Sequence, residues 1–114
     1  MATVEELAGQ ESVQRWYNYY SQHWGAPPDW DFKLQALARF SQWIGKTPDQ
    51  MIGECLREVE GGYKKIRVKK RRFYIAKIKE FEENIGGVQG RNWANAVRSF
   101  FIHNGVAMSA DILR

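Results

Sequence analysis

The sequence predicts an all-α fold, a compact bundle of four to five short helices. Apolar residues recur at three- and four-residue spacing, and glycine and proline separate these periodic segments. No alternation of period two is long enough to predict a strand. With 114 residues, 44% of them hydrophobic and 14% aromatic, the chain can bury a core of its own. No apolar run approaches the roughly 18 residues that a membrane span requires.

The first predicted helix covers residues 11–24, where the spacing places aromatic side chains on one face. These side chains include Trp16, Tyr20 and Trp24. We expect them to pack in the core, and a surface that docks a partner is the alternative. After the break at Pro27-Pro28, a second helix over residues 29–44 repeats the pattern. Gly45 follows where a C′ glycine would end that helix.

The third predicted helix has the clearest start signal in the chain. Thr47 can cap it, Pro48 takes the first helical position, and Gln50 completes a capping box. Its predicted buried residues are Met51, Ile52, Cys55, Leu56 and Val59. Gly61-Gly62 is expected to break this helix.

Two further helices complete the prediction. A fourth runs from Lys64 to Ile85, and a last one from about Gln89 or Arg91 to His103, where Asn104-Gly105 would end it. The chain ends, residues 1–10 and 106–114, are expected to be frayed or irregular.

The residues that carry reaction chemistry are few. Cys55 is the only cysteine, and its apolar neighbours predict a small core side chain rather than a nucleophile. With only His23 and His103 as further soft ligands, we expect no zinc or iron centre and no cofactor. The glycine-rich run over residues 86–90 lacks the preceding strand of a phosphate loop and predicts a connector between helices. We therefore expect no catalytic residues and no enzyme activity in this chain.

The N-terminus contains nothing that directs secretion. It is acidic, and it lacks both the basic and the apolar segments of a signal peptide. We therefore expect an intracellular protein.

The positive charge is concentrated in one segment, although the net charge of the chain is only +4 and its pI about 9.3. Nine of the 17 basic residues lie in residues 64–79, which contain no acid. They are Lys64, Lys65, Arg67, Lys69, Lys70, Arg71, Arg72, Lys77 and Lys79. The rest of the chain holds eight basic and thirteen acidic residues, a net charge of −5. Unneutralised cations at this density repel one another, and such asymmetry indicates a polyanionic partner.

Helical spacing separates the two sides of this basic helix. The apolar side holds Tyr74, Ile78, Phe81 and Ile85, and the opposite side holds Lys65, Lys69, Arg72 and Lys79. Because the apolar side is needed for the core, a membrane surface is a weaker interpretation than a polyanion. Arg67 and Lys70 project on the apolar side, so the first turns either overhang the core or the helix starts later.

The last helix carries a second candidate surface. Arg91, Asn95 and Arg98 share a stripe, which Asn92 and Ser99 flank. Arginine and asparagine pair with guanine and adenine edges in a major groove, so Asn92 or Asn95 is a candidate for contact with bases. An ordinary solvated stripe is the alternative, and phosphate contact by the two arginines is the more conservative assignment. Trp93 is expected in the core, with stacking on a base as the alternative.

Two runs of residues form a recognisable pattern by their order and spacing. The first passes from Leu37 through Arg39-Phe40 and Trp43 to Gly45-Lys46-Thr47-Pro48-Asp49. The second is Val97-Arg98-Ser99-Phe100-Phe101, followed by Asn104-Gly105. Together they resemble the N-terminal, SAM-like core-binding domain of the tyrosine recombinase (phage integrase) family, and the resemblance covers roughly residues 29–110. Family members often begin both helices with a threonine four residues before a tyrosine, and here Asp29, Lys33, Gln89 and Trp93 stand at those positions. An aspartate there would repel a phosphate, whereas Gln89 can donate to one.

This resemblance implies a domain that clamps double-stranded DNA at the crossover site for DNA integration or recombination. The catalytic residues of that family belong to a separate C-terminal domain, which would be this domain's partner within a parent chain from a phage or other mobile element. It further implies a SAM-like domain over residues 29–105, preceded by an extension over residues 1–28 and followed by the start of a linker at 106–114. It also implies a cytoplasmic location, associated with the nucleoid of a prokaryote or with a phage. It leaves self-association on DNA open.

A helical protein-interaction module is the alternative from a different functional class. In that case the basic helix would dock an acidic partner, and the face formed by Trp16, Tyr20 and Trp24 would be a hydrophobic anchor.

Overall fold

The computed structural model describes residues 4–108, and within them six helices confirm the all-α class. The helices are α1 (Val4–Ala8), α2 (Glu11–Trp24), α3 (Trp30–Ile44), α4 (Pro48–Cys55), α5 (Val68–Ile85) and α6 (Gly87–Ile102). Two three-residue strands, β1 (Leu56–Glu58) and β2 (Lys64–Ile66), form an antiparallel hairpin between α4 and α5. No helix within residues 4–108 is both long and apolar enough to cross a membrane.

The predicted start of α4 and the predicted end of α3 are confirmed. The Thr47 hydroxyl accepts from the backbone N–H of Gln50, and the Gln50 side chain accepts from the N–H of Thr47, which forms the capping box. Gly45 has φ of 75°, the left-handed conformation that a glycine adopts most readily after a helix. These local signals depend on neighbouring residues alone, which is why the sequence reveals them.

All six helices contribute side chains to one core, together with Val106 and Met108 from the segment after α6. Aromatic rings meet edge to face at its centre: Phe40 and Phe81 have ring centroids 5.3 Å apart, and Trp16 and Phe100 have centroids 5.5 Å apart. The helices α5 and α6 form the most extensive pair, and α3 packs against α6.

A close approach between α5 and α6 is set by glycine. Gly86 and Gly87 connect the helices with φ of 79° and 63°, so the chain reverses within two residues. Gly90 then packs against the backbone of α5, where an added Cβ would overlap the carbonyl oxygen of Glu82. The connector is shorter than the predicted residues 86–90, because α6 begins at Gly87 rather than at Gln89 or Arg91, and the run also brings two backbones into contact.

The helix α2 belongs to the bundle, because polar side chains bind it to α4 and to the end of α6. The backbone N–H of Ser12 donates to Asp49 Oδ1 at 2.9 Å, and Asn104 Nδ2 donates to the Ser12 carbonyl at 3.0 Å. Trp16 is fully buried, and its Nε1 donates to Ser99 Oγ at 3.0 Å.

The expectation that Trp24 packs in the core is wrong. Trp16 is buried and Tyr20 is partly buried against the core, but Trp24 is 74% exposed. It is the last residue of α2, and the chain turns away at Gly25 before any element can cover its ring.

The prediction that residues 1–10 are irregular is also corrected. Residues 4–8 form α1, which packs on α3 and buries Leu7. A five-residue helix is too short for a visible period, so only the contact made by Leu7 defines it. The predicted irregular segment after α6 has no regular structure over residues 106–108, but Val106 and Met108 are buried. The rest of the predicted ends, residues 1–3 and 109–114, lie outside the described part.

The absence of strands and the bounds of two helices are corrected by the hairpin. The helix α4 ends at Cys55 instead of continuing to Val59, and α5 begins at Val68 instead of Lys64. Gly61 and Gly62 adopt φ of 91° and 80°, so they turn the chain back on itself instead of only breaking a helix. Strands of three residues are too short to show alternation in a sequence. The alternative in which the basic helix starts later is therefore the correct one.

A partly exposed ionic cluster ties α4 to α5. The Glu54 carboxylate accepts from Lys46 Nζ at 2.5 Å and from the Tyr74 hydroxyl at 2.6 Å, and Lys70 Nζ lies 3.9 Å away. Partial burial by itself would raise the pKa of the Glu54 carboxyl. The hydrogen bonds from Lys46 and Tyr74 and the charges of Lys46 and Lys70 outweigh burial and hold that pKa below its ordinary value of 4.5.

The helix contact at Gly90 predicts opposite effects for two glycine substitutions. Gly90→Ala places a Cβ against the Glu82 carbonyl and should destabilise the protein by about 2 kcal/mol. Gly53→Ala is the matched control, because Gly53 is helical, exposed and free of nearby atoms, and it should stabilise the protein by about 0.5–1 kcal/mol. Urea unfolding followed by circular dichroism measures both. Equal effects of the two substitutions would contradict the close approach.

The Glu54 cluster predicts a loss of stability in acid. Because the pKa of Glu54 is lower in the folded state, its carboxylate contributes fully to the free energy of unfolding above pH 4.5. This contribution is lost as the pH falls through the lowered pKa. Glu54→Gln should therefore cost about 1–3 kcal/mol at pH 7 and flatten the pH dependence of stability below 4.5. Glu83→Gln, at an exposed carboxyl, is the control and should change neither. The free energy of unfolding in urea at pH 7 and pH 3.5 measures this, and an unchanged pH profile in Glu54→Gln would contradict the assignment.

Candidate nucleic-acid interface

The structure separates the basic residues of positions 64–79 into three groups. One group lies on the hairpin, one surrounds a cavity between α5 and α6, and one packs over exposed aromatic rings. The hairpin group holds Lys64, Lys65 and Arg67, the cavity group Arg71, Arg72 and Lys79, and the aromatic group Lys70 and Lys77. Lys69 is exposed in the first turn of α5. The single basic helix of the sequence prediction is therefore a basic ribbon followed by a basic helix.

The hairpin presents cations on both of its faces. Its register places Arg57 opposite Lys65 and Glu58 opposite Lys64. Because side chains alternate along a strand, Arg57 and Lys65 share one face, and Lys64 shares the other with the half-buried Leu56. Arg57, Lys65 and Arg67 line one open cleft of about 450 Å³ together with Ile66. All three cations are exposed, and none is paired with an acid within residues 4–108.

Arg57 is a functional candidate that the sequence prediction missed. It lies seven residues before the basic segment, among the acids Glu54, Glu58 and Glu60, so charge counting alone does not single it out. Only the pairing of β1 with β2 brings it beside Lys65. A prediction of the hairpin turn at Gly61-Gly62 would have been the signal that reveals it.

The second group surrounds a cavity between α5, α6 and the chain after α6. Arg72 and Lys79 are exposed on α5, and Arg98 reaches the same cavity from α6. Arg71 was predicted as a surface contact, but it is only 6% exposed and its Nε donates to the Ala107 carbonyl at 2.6 Å. That burial depends on a contact 36 residues away in sequence, which helical spacing does not reveal.

The third group combines cations with exposed aromatic rings. Lys70 and Lys77 each lie 5.7 Å from the centroid of the Phe73 ring, and Lys77 also lies 5.9 Å from that of Trp43. Both lysines have an acid within ion-pair range, since Lys70 is 3.9 Å from Glu54 and Lys77 is 3.3 Å from Glu80. These two lysines are thus less available to a partner than the cations on the hairpin.

The stripe on α6 is partly committed to internal contacts. Arg98 donates to Glu82 Oε1 at 2.8 Å and to Asn95 Oδ1 at 2.9 Å, and it is about one quarter exposed. Gln89, Arg91 and Asn92 are exposed in the first half of the helix, and they do not line the cavity that Arg98 reaches. The structure therefore joins Arg98 to the basic groups of α5 and leaves these three residues on a separate part of the surface.

Trp93 is half-buried between two side chains of α3. Its ring meets Phe32 edge to face at 5.9 Å, and the guanidinium of Arg39 lies 4.9 Å from its centroid. These contacts agree with a core position more than with a ring free to stack on a base. Arg39 is an exposed cation that the sequence prediction did not assign to this surface.

A buried thiol, Cys55, directly precedes the hairpin. Burial raises the pKa of the Cys55 thiol to about 11, and the neighbouring Glu54 carboxylate adds to the rise, so the sulfur is a thiol at neutral pH. Within residues 4–108, no three His, Cys, Asp or Glu side chains are grouped as metal ligands would be. The arrangement of cations can hold phosphates and attract a polyanion over a distance.

Comparisons with known proteins add no family to this geometry. No protein-family model matches the chain, and no curated protein or solved structure is significantly similar to it. The likeness to the recombinase family thus remains a prediction from the two sequence motifs. The candidate interface is defined by its own side chains.

Proposed function

We propose that this chain is a DNA-binding module, the core-binding domain of a site-specific tyrosine recombinase. It holds one side of a duplex at the crossover site, and a separate C-terminal domain catalyses DNA integration or recombination. Such a protein works where DNA lies, in the cytoplasm of a prokaryote. The exposed cations of the hairpin and of α5 bind phosphates, and the chain itself performs no strand cleavage.

The observation that carries the proposal is the pairing of Arg57 with Lys65. Like charges directly opposite each other on two strands destabilise the pairing, and Arg57 and Lys65 lie directly opposite each other. Both side chains are exposed and lack acidic partners within the described residues. A polyanion bound across them would offset this repulsion with attraction to both cations.

The shape of the basic surface supports duplex DNA as that polyanion. A two-stranded ribbon has the width that the major groove of B-DNA admits. The exposed residues Lys69, Arg72 and Lys79 continue from the ribbon along α5, so phosphates can be contacted beside the groove. Contacts of this kind fix the position of a protein on DNA without reading its sequence.

The acidic remainder of the chain supports a defined orientation. Outside residues 64–79 the net charge is −5, so most other surfaces repel a duplex. The basic ribbon and the first half of α5 would therefore meet DNA first, and the acidic body would face away from it.

The proposal predicts a weaker and less salt-dependent complex when the ribbon loses its charge. The triple variant Arg57→Gln, Lys65→Gln, Arg67→Gln should raise the Kd for a 30-base-pair duplex, which for non-specific binding is about 10⁻⁴ to 10⁻⁶ M in the unmodified chain. The slope of log K against log salt should fall by about 2 to 3, because up to three phosphate contacts are lost. Fluorescence anisotropy of a labelled duplex at several salt concentrations measures both.

A control with the same net charge separates local contact from total charge. The variant Gln14→Glu, Asn18→Glu, Gln35→Glu also lowers the charge by three, at exposed positions of α2 and α3. It should change the salt slope much less than the ribbon variant. Equal losses in the two variants, with native circular dichroism, would contradict specific contact by the ribbon.

A protein-interaction module is a second candidate, supported by a different surface. An open groove of about 740 Å³ lies between the end of α2, the end of α6 and the hairpin, and Trp24, Tyr19 and Ile102 expose apolar surface along it. Binding to an acidic protein together with indifference to duplex DNA would favour this function over DNA binding.

A further inference from the structure

We propose that the cavity between α5, α6 and the segment after α6 binds a single phosphate group, with Arg71 at its base. Under the proposed function, this phosphate is one phosphodiester of the DNA backbone, and that part of the inference rests on the proposed function. The affinity of the cavity for a phosphate group does not depend on it, because the argument concerns only the residues that line the cavity.

The cavity is built almost entirely from cations and apolar side chains. It has a volume of about 360 Å³, and Arg71, Arg72, Lys79 and Arg98 line it with an apolar wall that includes Ile75 and Met108. No acidic side chain of the described residues lines it. Arg98 is paired with Glu82, but Arg71, Arg72 and Lys79 have no acidic partner within residues 4–108, so an anion in the cavity would offset the repulsion of three cations.

Arg71 points to the ligand most directly. Arg71 is 94% buried, and its Nε donates to the Ala107 carbonyl at 2.6 Å. Its Nη2 is buried and has no hydrogen-bond partner in the part of the chain described. A guanidinium group is charged at any physiological pH, so its nitrogens are always donors that need acceptors. A buried guanidinium nitrogen without an acceptor is costly, and an anion in the cavity would supply that acceptor.

The neighbouring cations are placed to complete the site. Arg72 and Lys79 lie seven residues apart on α5, two helical turns, and therefore on the same face. Neither has an acidic partner within residues 4–108. Arg98 is held by Glu82, which neutralises part of its charge and fixes its side chain at the edge of the cavity.

The chemistry of these groups favours a phosphate over other anions. Guanidinium groups match the oxygen geometry of phosphates and form charge-assisted hydrogen bonds with them, and the exposed lysine adds a point charge. Inorganic phosphate offers four oxygens to several cations at once and a carboxylate two, whereas a phosphodiester has two non-bridging oxygens and two weaker ester oxygens in a tetrahedral arrangement. The apolar wall can lie against the organic part of a phosphodiester.

Thermal unfolding of the whole chain in inorganic phosphate tests the cavity without DNA. At constant ionic strength, with chloride as the reference salt, phosphate at ten times its Kd should raise the Tm by about 5 °C. The double variant Arg72→Gln, Lys79→Gln alters only exposed side chains and should lose most of this shift. Arg71→Met should abolish it, and the double variant decides the outcome if Arg71→Met fails to fold. No phosphate-specific shift in the unmodified chain would overturn the proposal.

Nuclear magnetic resonance of the arginine side chains separates the two sources of phosphate. The Nε–H signal of Arg71, assigned from its absence in Arg71→Lys, should move when either inorganic phosphate or a 30-base-pair duplex is added. Movement with inorganic phosphate alone keeps the cavity as a phosphate site but overturns its assignment to the DNA backbone. A signal that moves with neither ligand would overturn the site itself.

The variant that removes the charges of the ribbon distinguishes a failure of the phosphate-cavity proposal from a failure of the proposed DNA-binding function. Arg57→Gln, Lys65→Gln, Arg67→Gln leaves the cavity intact, so its phosphate-induced Tm shift should equal that of the unmodified chain. A phosphate shift in a chain that binds no duplex would support the cavity and contradict the proposed function. The double variant Arg72→Gln, Lys79→Gln should bind the duplex with about tenfold lower affinity. An unchanged affinity would contradict the role of the cavity in DNA binding and leave the proposed function standing.

Discussion

The contact between α5 and α6 is the constraint on which the rest of the structure depends. Because Gly90 has no side chain, the two helix backbones can approach at Glu82, directly after a two-glycine reversal at Gly86 and Gly87. The same approach lets Arg98 reach Glu82 across the pair and brings it to the cavity of Arg71. The packing of one helix pair thus determines both the core and the position of the cations.

The hairpin keeps a basic side chain in solvent that a continuous basic helix would direct toward the core. A helix beginning at Lys64 would turn Arg67 toward the apolar side, where unpaired charges are expensive to bury. The turn at Gly61-Gly62 instead places residues 64–66 in a strand outside the core, and α5 begins only at Val68. The cations of the hairpin stay in solvent, while the α5 residues Tyr74, Ile78 and Phe81 remain buried.

Much of the helical framework could be predicted from the sequence, because its signals are local. The capping box at Thr47, the end of α3 at Gly45 and the apolar spacing in α2 each depend on a few neighbouring residues. The short hairpin and α1 could not be predicted, since three to five residues contain too little periodicity to identify them. In these segments, tertiary contacts decide the structure.

The candidate site was only partly accessible to sequence reasoning, for the same physical reason. The density of charge in residues 64–79 identified the basic region, but charge density does not distinguish exposed cations from buried ones. The contact of Arg71 with Ala107 and the pairing of Arg57 with Lys65 both join residues that are distant in sequence. Because of such contacts, Arg71 lies in a cavity instead of on the open surface that the sequence predicted, and Arg57 joins the basic residues of the hairpin.

A map of the amides that respond to duplex DNA tests the central claim most directly. In ¹H–¹⁵N spectra of the full chain titrated with a 30-base-pair duplex, the account predicts that the shifts cluster in β1, β2 and the first half of α5. The indole signal of Trp24 should shift less than the ribbon amides, because only Leu56 and Lys64 of the hairpin border the groove that Trp24 lines. Shifts confined to the groove beside Trp24, or no shifts at low salt, would contradict the claim that the basic ribbon binds DNA.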